Sequence, residues 1–413
     1  MLPFFSSRKA TGNRHRSKDR GRKFGYGLRN SKATPETTNH IPGSSSWESL
    51  PVEIQLVIFA QCSIHDLLPL KLVCRDFHRT LTTHELSIAR QYLRLRRHGT
   101  LPSTLISERT YTRNPEDDVV LLSDLFPPAK SAKGGYLYTF RYLHSLRRRQ
   151  HACARLSHYL ANRVMDRFVT VEQPLIKANF PSKAERNLLF ERGIANVEFN
   201  LVPLTYCVLF FLESYASARK EHMNFLLREY EAGRLPVPIP LDVRTVMYAE
   251  LQAKILHSPP FTDTSTLIAT HHCMQLLVSY LRYTLVPGEF GPPDDRWIGG
   301  LLTISGFGRI VEFFSAEIGD GRNSRAQRRD FMVNFERDVD QHAREEMNPL
   351  IYSTPSDGRP HYSSPNEVWF DIAEKELRSR EAVPHDPECF SAWNGIPVLI
   401  GCNHCRATRG WQA

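Results

Sequence analysis

An all-α fold is what this sequence predicts, and three observations predict it. Apolar residues recur at helical steps over long segments, strand-like alternation is scarce, and Pro- and Gly-rich stretches fall between the periodic segments. The segment 139–168 sets Leu143, Leu146, Leu156, Leu160, Val164 and Phe168 close to one face, at steps near the roughly 3.6 residues of a helical turn. Similar patterns run through 183–190, 205–230, 243–256, 264–285, 307–318 and 325–347. Between them lie LPVPIP at 235–240, SPP at 258–260, VPGEFGPP at 286–293 and STPSDGRPHYSSP at 353–365, which read as connectors. No internal repeat shows.

The 413 residues allow two or three domains at roughly 150 residues each. A chain of this length can bury a core without disulfides or metals. With 41% hydrophobic residues, 53 Lys+Arg and 44 Asp+Glu, the composition excludes collagen-like and fully disordered classes. The longest apolar stretch, LVPLTYCVLFFL at 201–212, is closed by Glu213. It falls short of the about 20 residues a bilayer span needs, so it reads as a core segment and no membrane contact is expected. The start, MLPFFSSRKATGNRHR, runs opposite to the charge-then-apolar order of a secretory signal. Eight scattered cysteines and the absence of an Asn-x-Ser/Thr acceptor point to an intracellular protein with reduced thiols, in nucleus, cytoplasm or both.

Charge is uneven. Residues 1–40 hold ten Lys/Arg against Asp19 and Glu36, so eight of the nine net positive charges sit there and the body is nearly neutral. Residues 1–46, with only ten apolar side chains, are predicted to be a disordered tail, because they cannot bury enough surface to offset the entropy of ordering. Arg14, Arg16, Lys18, Arg20, Arg22 and Lys23, followed by Phe24 and Tyr26, give residues 8–32 two readings. One is nucleic-acid binding or a nuclear address; the other is a solvated tail with no dedicated partner.

At Trp47 the composition changes, and 18 of the 32 residues at 50–81 are apolar. Pro51 suits the first position of a helix, and Glu53 in the first turn faces the positive end of its dipole. Ile54, Val57 and Ile58 follow at i, i+3 and i+4. Asp66 is expected to cap a second helix, with Pro69 inside its first turn. Leu67, Leu70 and Val73 are expected to line one face of that helix. Val73, Phe77 and Leu81 carry the stripe into a third. Three short helices cannot enclose this much Leu, Ile and Val, so the excess apolar face needs a partner or the rest of the chain.

This segment resembles an F-box. The features that match are Leu50-Pro51, Glu53, Ile54, Ile58, Asp66-Leu67-Leu68 and above all LVCRDFHR at 72–79. Fungal-type F-box proteins are similar in placing the box near the N-terminus with a long helical region behind it. Many boxes place a Trp after the third helix; here Leu86-Ser87-Ile88 stands instead. The resemblance implies a binding surface rather than a catalytic one. An F-box docks on the Skp-type adaptor of a cullin–RING ubiquitin ligase, while the remainder of the chain presents a protein substrate. Carried over by position, the adaptor-facing residues are Leu50, Pro51, Ile54, Ile58, Leu67, Leu70, Val73, Cys74 and Phe77, with core packing the alternative for each. The implied organisation is a basic tail at 1–46, the box at 47–95, a helical substrate-binding body at 99–380 and a Cys/Pro-rich segment at 381–413.

Catalytic signatures are missing: no GxxxxGK[ST], HExxH or GxSxG occurs. Gly306-x-Gly308 reads as the turn before a helix. His271, His272 and Cys273, adjacent on a helix, point in different directions and cannot share one metal. Arg147, Arg148, Arg149 and QYLRLRRH at 91–98 read as solvated helix faces. His385, Cys389, Cys402 and Cys405 form H-x3-C-x12-C-x2-C. Such a Cys-x2-Cys knuckle with a second pair can hold zinc, or the thiols are ordinary loop cysteines. The competing class is a nuclear, nucleic-acid-associated protein acting through its basic arm.

Overall fold

The computed structural model describes residues 47–99, 118–235, 238–284, 296–318, 321–346, 348, 350–353 and 363–382. The basic tail, the connector 286–293, and His385, Cys389, Cys402 and Cys405 lie outside these residues. The chain divides into two units, 1–50 and 51–413. The described part of the first is a 3-10 turn, Trp47–Ser49, closed by the Leu50 N–H donating to the Trp47 carbonyl at 3.2 Å.

The second unit opens with three short helices: α1 (Val52–Gln61), α2 (Ile64–Leu70) and α3 (Arg75–Thr83). Helices α4 (Glu85–Gly99) and α5 (Asp118–Leu125) follow, then the long α6 (Phe140–Val171), α7 (Gln173–Asn179) and the still longer α8 (Lys183–Glu231). Helices α9 (Leu241–Leu256), α10 (Thr264–Thr284), α11 (Arg296–Thr303), α12 (Phe307–Ile318) and α13 (Gly321–Glu346) come next. A π-turn, Asn366–Phe370, leads into α14 (Asp371–Ser379). Among the described residues there is no strand, only isolated bridges at Lys130–Tyr136 and Ile239–Tyr352. The class is all-α.

The centre is the pairing of α6 with α8. Leu143, Leu146, Leu156, Leu160 and Val164 of α6 are buried, as their spacing predicts. Leu201, Val208, Leu209, Phe211 and Leu212 of α8 are buried too. By length and composition α8 is long and apolar enough to cross a membrane, and here its apolar centre faces the protein core. Polar groups on this seam are paired: the Ser157 and Thr205 hydroxyls lie 3.1 Å apart, and Arg149 donates to Glu213 through Nε at 2.9 Å and Nη2 at 2.7 Å.

The periodicity treats 183–190 and 205–230 as separate helices, but the chain is helical through Pro203. The proline removes one ladder hydrogen bond, while buried residues on both sides, Leu201, Val202 and Thr205, hold the helix together. A capping box starts it: the Ser182 hydroxyl accepts from the Glu185 N–H, and the Glu185 carboxylate accepts from the Ser182 N–H, each at 3.1 Å. A second cluster forms where Trp369 is inserted edge-on against Phe211 (centroids 4.6 Å) and Phe261 (5.8 Å). A Cβ at Gly299 of α11 would stand 1.6 Å from the Ser363 carbonyl oxygen, so only glycine permits the helix to come this close to the backbone at 363.

Two basic runs differ from expectation. Arg149 is half-buried against Glu213 with its guanidinium over the Phe126 ring at 4.4 Å. In 91–98, Tyr92, Leu93 and Arg96 are buried. Glu213 for Arg149, and the Ala60 and Cys62 carbonyls for Arg96, are far away in sequence, where spacing along one helix cannot reveal them. His271, His272 and Cys273 are all packed inside. Burial lowers the His271 pKa to about 3, with His272 adding to it, and raises the Cys273 thiol to about 12. Gly306, at φ +74, makes the turn before α12 as expected, whereas Gly308 already lies inside the helix, which starts at Phe307.

Candidate protein-docking face on the first three helices

Helix α1 has two faces. Gln55, Phe59 and Ala60 turn inward, where Phe59 meets Phe77 of α3 edge-to-face at 5.3 Å. Pro51, Ile54 and Ile58, spaced i, i+3 and i+7, occupy the other side and are exposed. Val52 is exposed in the first turn.

Helix α2 starts earlier than its sequence suggests. Ser63 occupies the cap position and its hydroxyl donates to the Asp66 carboxylate at 2.8 Å, so Asp66 lies in the first turn and Pro69 in the second. Ile64 and Leu67 face inward. After Leu70 the chain leaves the α-helical ladder. The Lys71, Leu72 and Val73 N–H groups donate to the carbonyls of Leu68, Pro69 and Leu70, at 3.1, 2.8 and 3.2 Å. This tight turn rotates Leu72 and Val73 outward, leaving them 87% and 66% exposed. Cys74 then caps α3, its exposed sulfur accepting the Phe77 N–H at 3.5 Å.

The predicted set therefore separates. Pro51, Ile54, Ile58, Val73 and Cys74 are exposed; Leu50, Leu70 and Phe77 are half-buried. Leu67 is a correction: it is fully buried, so its side chain belongs to the interior and is not available to a partner. The expected continuous stripe from Leu67 to Val73 fails because the helix ends at Leu70. Leu68 and Leu72, matched in the motif but not among the adaptor-facing residues, are exposed as well, and the turn accounts for Leu72. Among the described residues, seven of the 18 exposed large apolar side chains fall in 52–86, a small share of the chain. Exposed apolar side chains are thus denser here than in the rest of the described chain, the kind of concentration that contact sites present.

Helices α1 and α3 pack on α4, α2 packs on α6, and α4 is tied in turn to α5 and α6. The Glu85 carboxylate accepts the Phe140 N–H at 2.6 Å, so α4 supplies an anion to the positive end of α6. Lys71 stands over the Phe140 ring at 5.0 Å, and Arg97 pairs with Asp124. The His65 and His144 rings approach to 6.4 Å; burial first, then His65, lowers the His144 pKa. Burial also pushes the Cys62 thiol up, Asp66 adding to the rise and Arg96 opposing it. Among the described residues no group of three His, Cys, Asp or Glu side chains is placed to hold a metal.

A family model described as F-box-like matches residues 47–87, the stretch that carries this exposed apolar concentration. No curated protein matches the chain, and no solved structure does. The match makes this segment similar to an F-box, the class of protein-docking module that typically works as a non-catalytic adaptor.

Proposed function

We propose that the chain is a substrate-recognition subunit of an SCF-type cullin–RING ubiquitin ligase. On this reading it docks to a Skp-type adaptor through α1–α3, reaches the cullin through that adaptor, and offers its helical region to a protein substrate. The supporting observation is the coincidence of the F-box-like match with exposed Ile54, Ile58, Leu68, Leu72 and Val73. Apolar groups left in water at a surface of this kind gain roughly 25 cal/mol per Å2 when a partner covers them. The subunit has no catalytic residues of its own in this reading; ligase chemistry belongs to its partners.

Affinity capture of the tagged full chain from cells with ligase activity blocked tests it. Adaptor, cullin and trapped substrate should co-purify, and loss of adaptor and cullin with substrate retained on replacing Leu72 and Val73 by Asp would support the surface named here. Capture without adaptor would reject the reading. The charge of residues 8–32 favours a second role for the arm, in nucleic-acid contact or nuclear import. Its removal should then change salt-sensitive retention on nucleic acid or nuclear accumulation while leaving adaptor binding intact.

A further inference from the structure

The carbonyls at the C-terminal end of a helix have no partner within it and need one from elsewhere. In α1 that partner comes from α4, beyond the F-box-like match. The buried Arg96 guanidinium donates through Nη1 to the Ala60 carbonyl at 3.0 Å and through Nη2 to the Cys62 carbonyl at 3.5 Å. Nη1 also reaches the Tyr92 carbonyl at 3.3 Å, and the guanidinium carbon lies 3.3 Å from the centre of the Tyr92 ring. A planar fork, stacked on a ring from its own helix, thus grips the two carbonyls that bracket the turn from α1 into α2. The positive charge also sits at the negative end of the α1 dipole.

That turn sets how the exposed parts of the segment are presented. Ile54 and Ile58 lie upstream of it on α1, and Leu68, Leu72 and Val73 lie downstream. Other polar ties at this corner are local: the Cys62 N–H donates to the Phe59 carbonyl at 3.1 Å, the Cys62 thiol to the Ile58 carbonyl at 3.4 Å, and the Ser63 hydroxyl to the Asp66 carboxylate. We infer that Arg96 is a positioning residue for the docking face: it lies behind that face rather than in it, and it fixes the angle at which α1 and α2 present their apolar side chains. The inference rests on the proposed docking of this face to a Skp-type adaptor. Its energetic basis is preorganisation, since a face held in its bound geometry loses less freedom on association.

The test is calorimetric titration of purified Skp-type adaptor into the full chain, comparing wild type, R96A, R96K and R94A. Arg94 is an exposed neighbour on the same helix and serves as control. R96A is expected to weaken binding about tenfold and R94A to leave it unchanged. Tens of millimolar guanidinium chloride should restore part of the R96A loss, whereas equal sodium chloride should not. An α6 core variant such as L156V, with a comparable loss of stability, should keep wild-type affinity; this separates positioning from general destabilisation. If R96A does not fold, R96K decides, because one ammonium cannot reproduce the stacked fork. A folded R96K within twofold of wild type would overturn the inference, and a severalfold weaker complex would support it. Wild-type binding with an unaffected, folded R96A would also overturn it. A wild-type chain that does not bind adaptor would instead reject the docking reading itself.

Discussion

The first three helices and the α6–α8 pair are built from the same side chains and dispose of them in opposite ways. In α6 and the central part of α8 the apolar side chains are buried over several successive turns. In α1–α3 the helices are seven to ten residues long. They bury Gln55, Phe59, Ala60, Ile64, Leu67 and Leu81, while Ile54, Ile58 and Leu68, with Leu72 and Val73 in the turn after α2, stand in solvent. Helix length decides the outcome. A long amphipathic helix satisfies its apolar face within the chain, while short segments joined by tight turns carry surplus that only another surface can cover.

The sharpest way to separate the regions is to damage each alone. Truncating Trp369, fully buried against Phe211 and Phe261, should cost about 3–5 kcal/mol in chemical denaturation. Adaptor affinity of the folded protein should not change. Replacing Leu72 and Val73 together by Asp should do the reverse. Affinity is expected to fall at least a hundredfold, about 2.7 kcal/mol, with unfolding free energy within about 0.5 kcal/mol of wild type. Equal damage to stability and binding by either variant would erase the distinction.

Acid should act on the body. The His271 and His342 pKa values are lowered from 6.5 to about 3, in each case mainly by burial, with His272 adding for His271 and Arg219 and Arg244 for His342. The native chain therefore keeps these rings neutral while the unfolded chain takes up protons below 6.5. Their contribution is fully present above pH 6.5 and is lost as pH falls toward about 3. In that window each histidine steepens the fall by up to about 1.4 kcal/mol per pH unit. Denaturant titrations between pH 7 and 4 should show the slope, and a folded H271Q should reduce it. An unchanged slope would mean that His271 titrates normally.

The smallest expected effect is S182A. Loss of the capping box at the start of α8 should cost about 1 kcal/mol, read as a lower denaturation midpoint without any shift in adaptor affinity.

How far the sequence revealed this arrangement depends on the range of the interactions involved. The α6 stripe was legible because its signal is local: a repeating spacing on one helix. The excess of apolar residues at 50–81 was legible as well, and with it the need for a covering surface. Which residues face outward was only partly legible. Leu67 and Val73 fit one helical face on paper, and the turn at 71–73, which no spacing rule marks, sends one inward and the other out. The Ala60 and Cys62 carbonyls that Arg96 reaches and the Glu213 carboxylate that pairs with Arg149 lie 34 to 64 residues away, so this burial could not be read from basic runs. The passage of α8 through Pro203 and the close approach at Gly299 depend on packing between distant segments in the same way.

The most direct test of the docking face is titration of purified Skp-type adaptor into the full-length chain, wild type beside the folded Leu72→Asp, Val73→Asp double variant. The expected result is one adaptor bound per wild-type chain and a loss of at least a hundredfold in the variant, with thermal unfolding of the two chains superimposable. Equal binding by both chains, or no binding by the wild type, would contradict it.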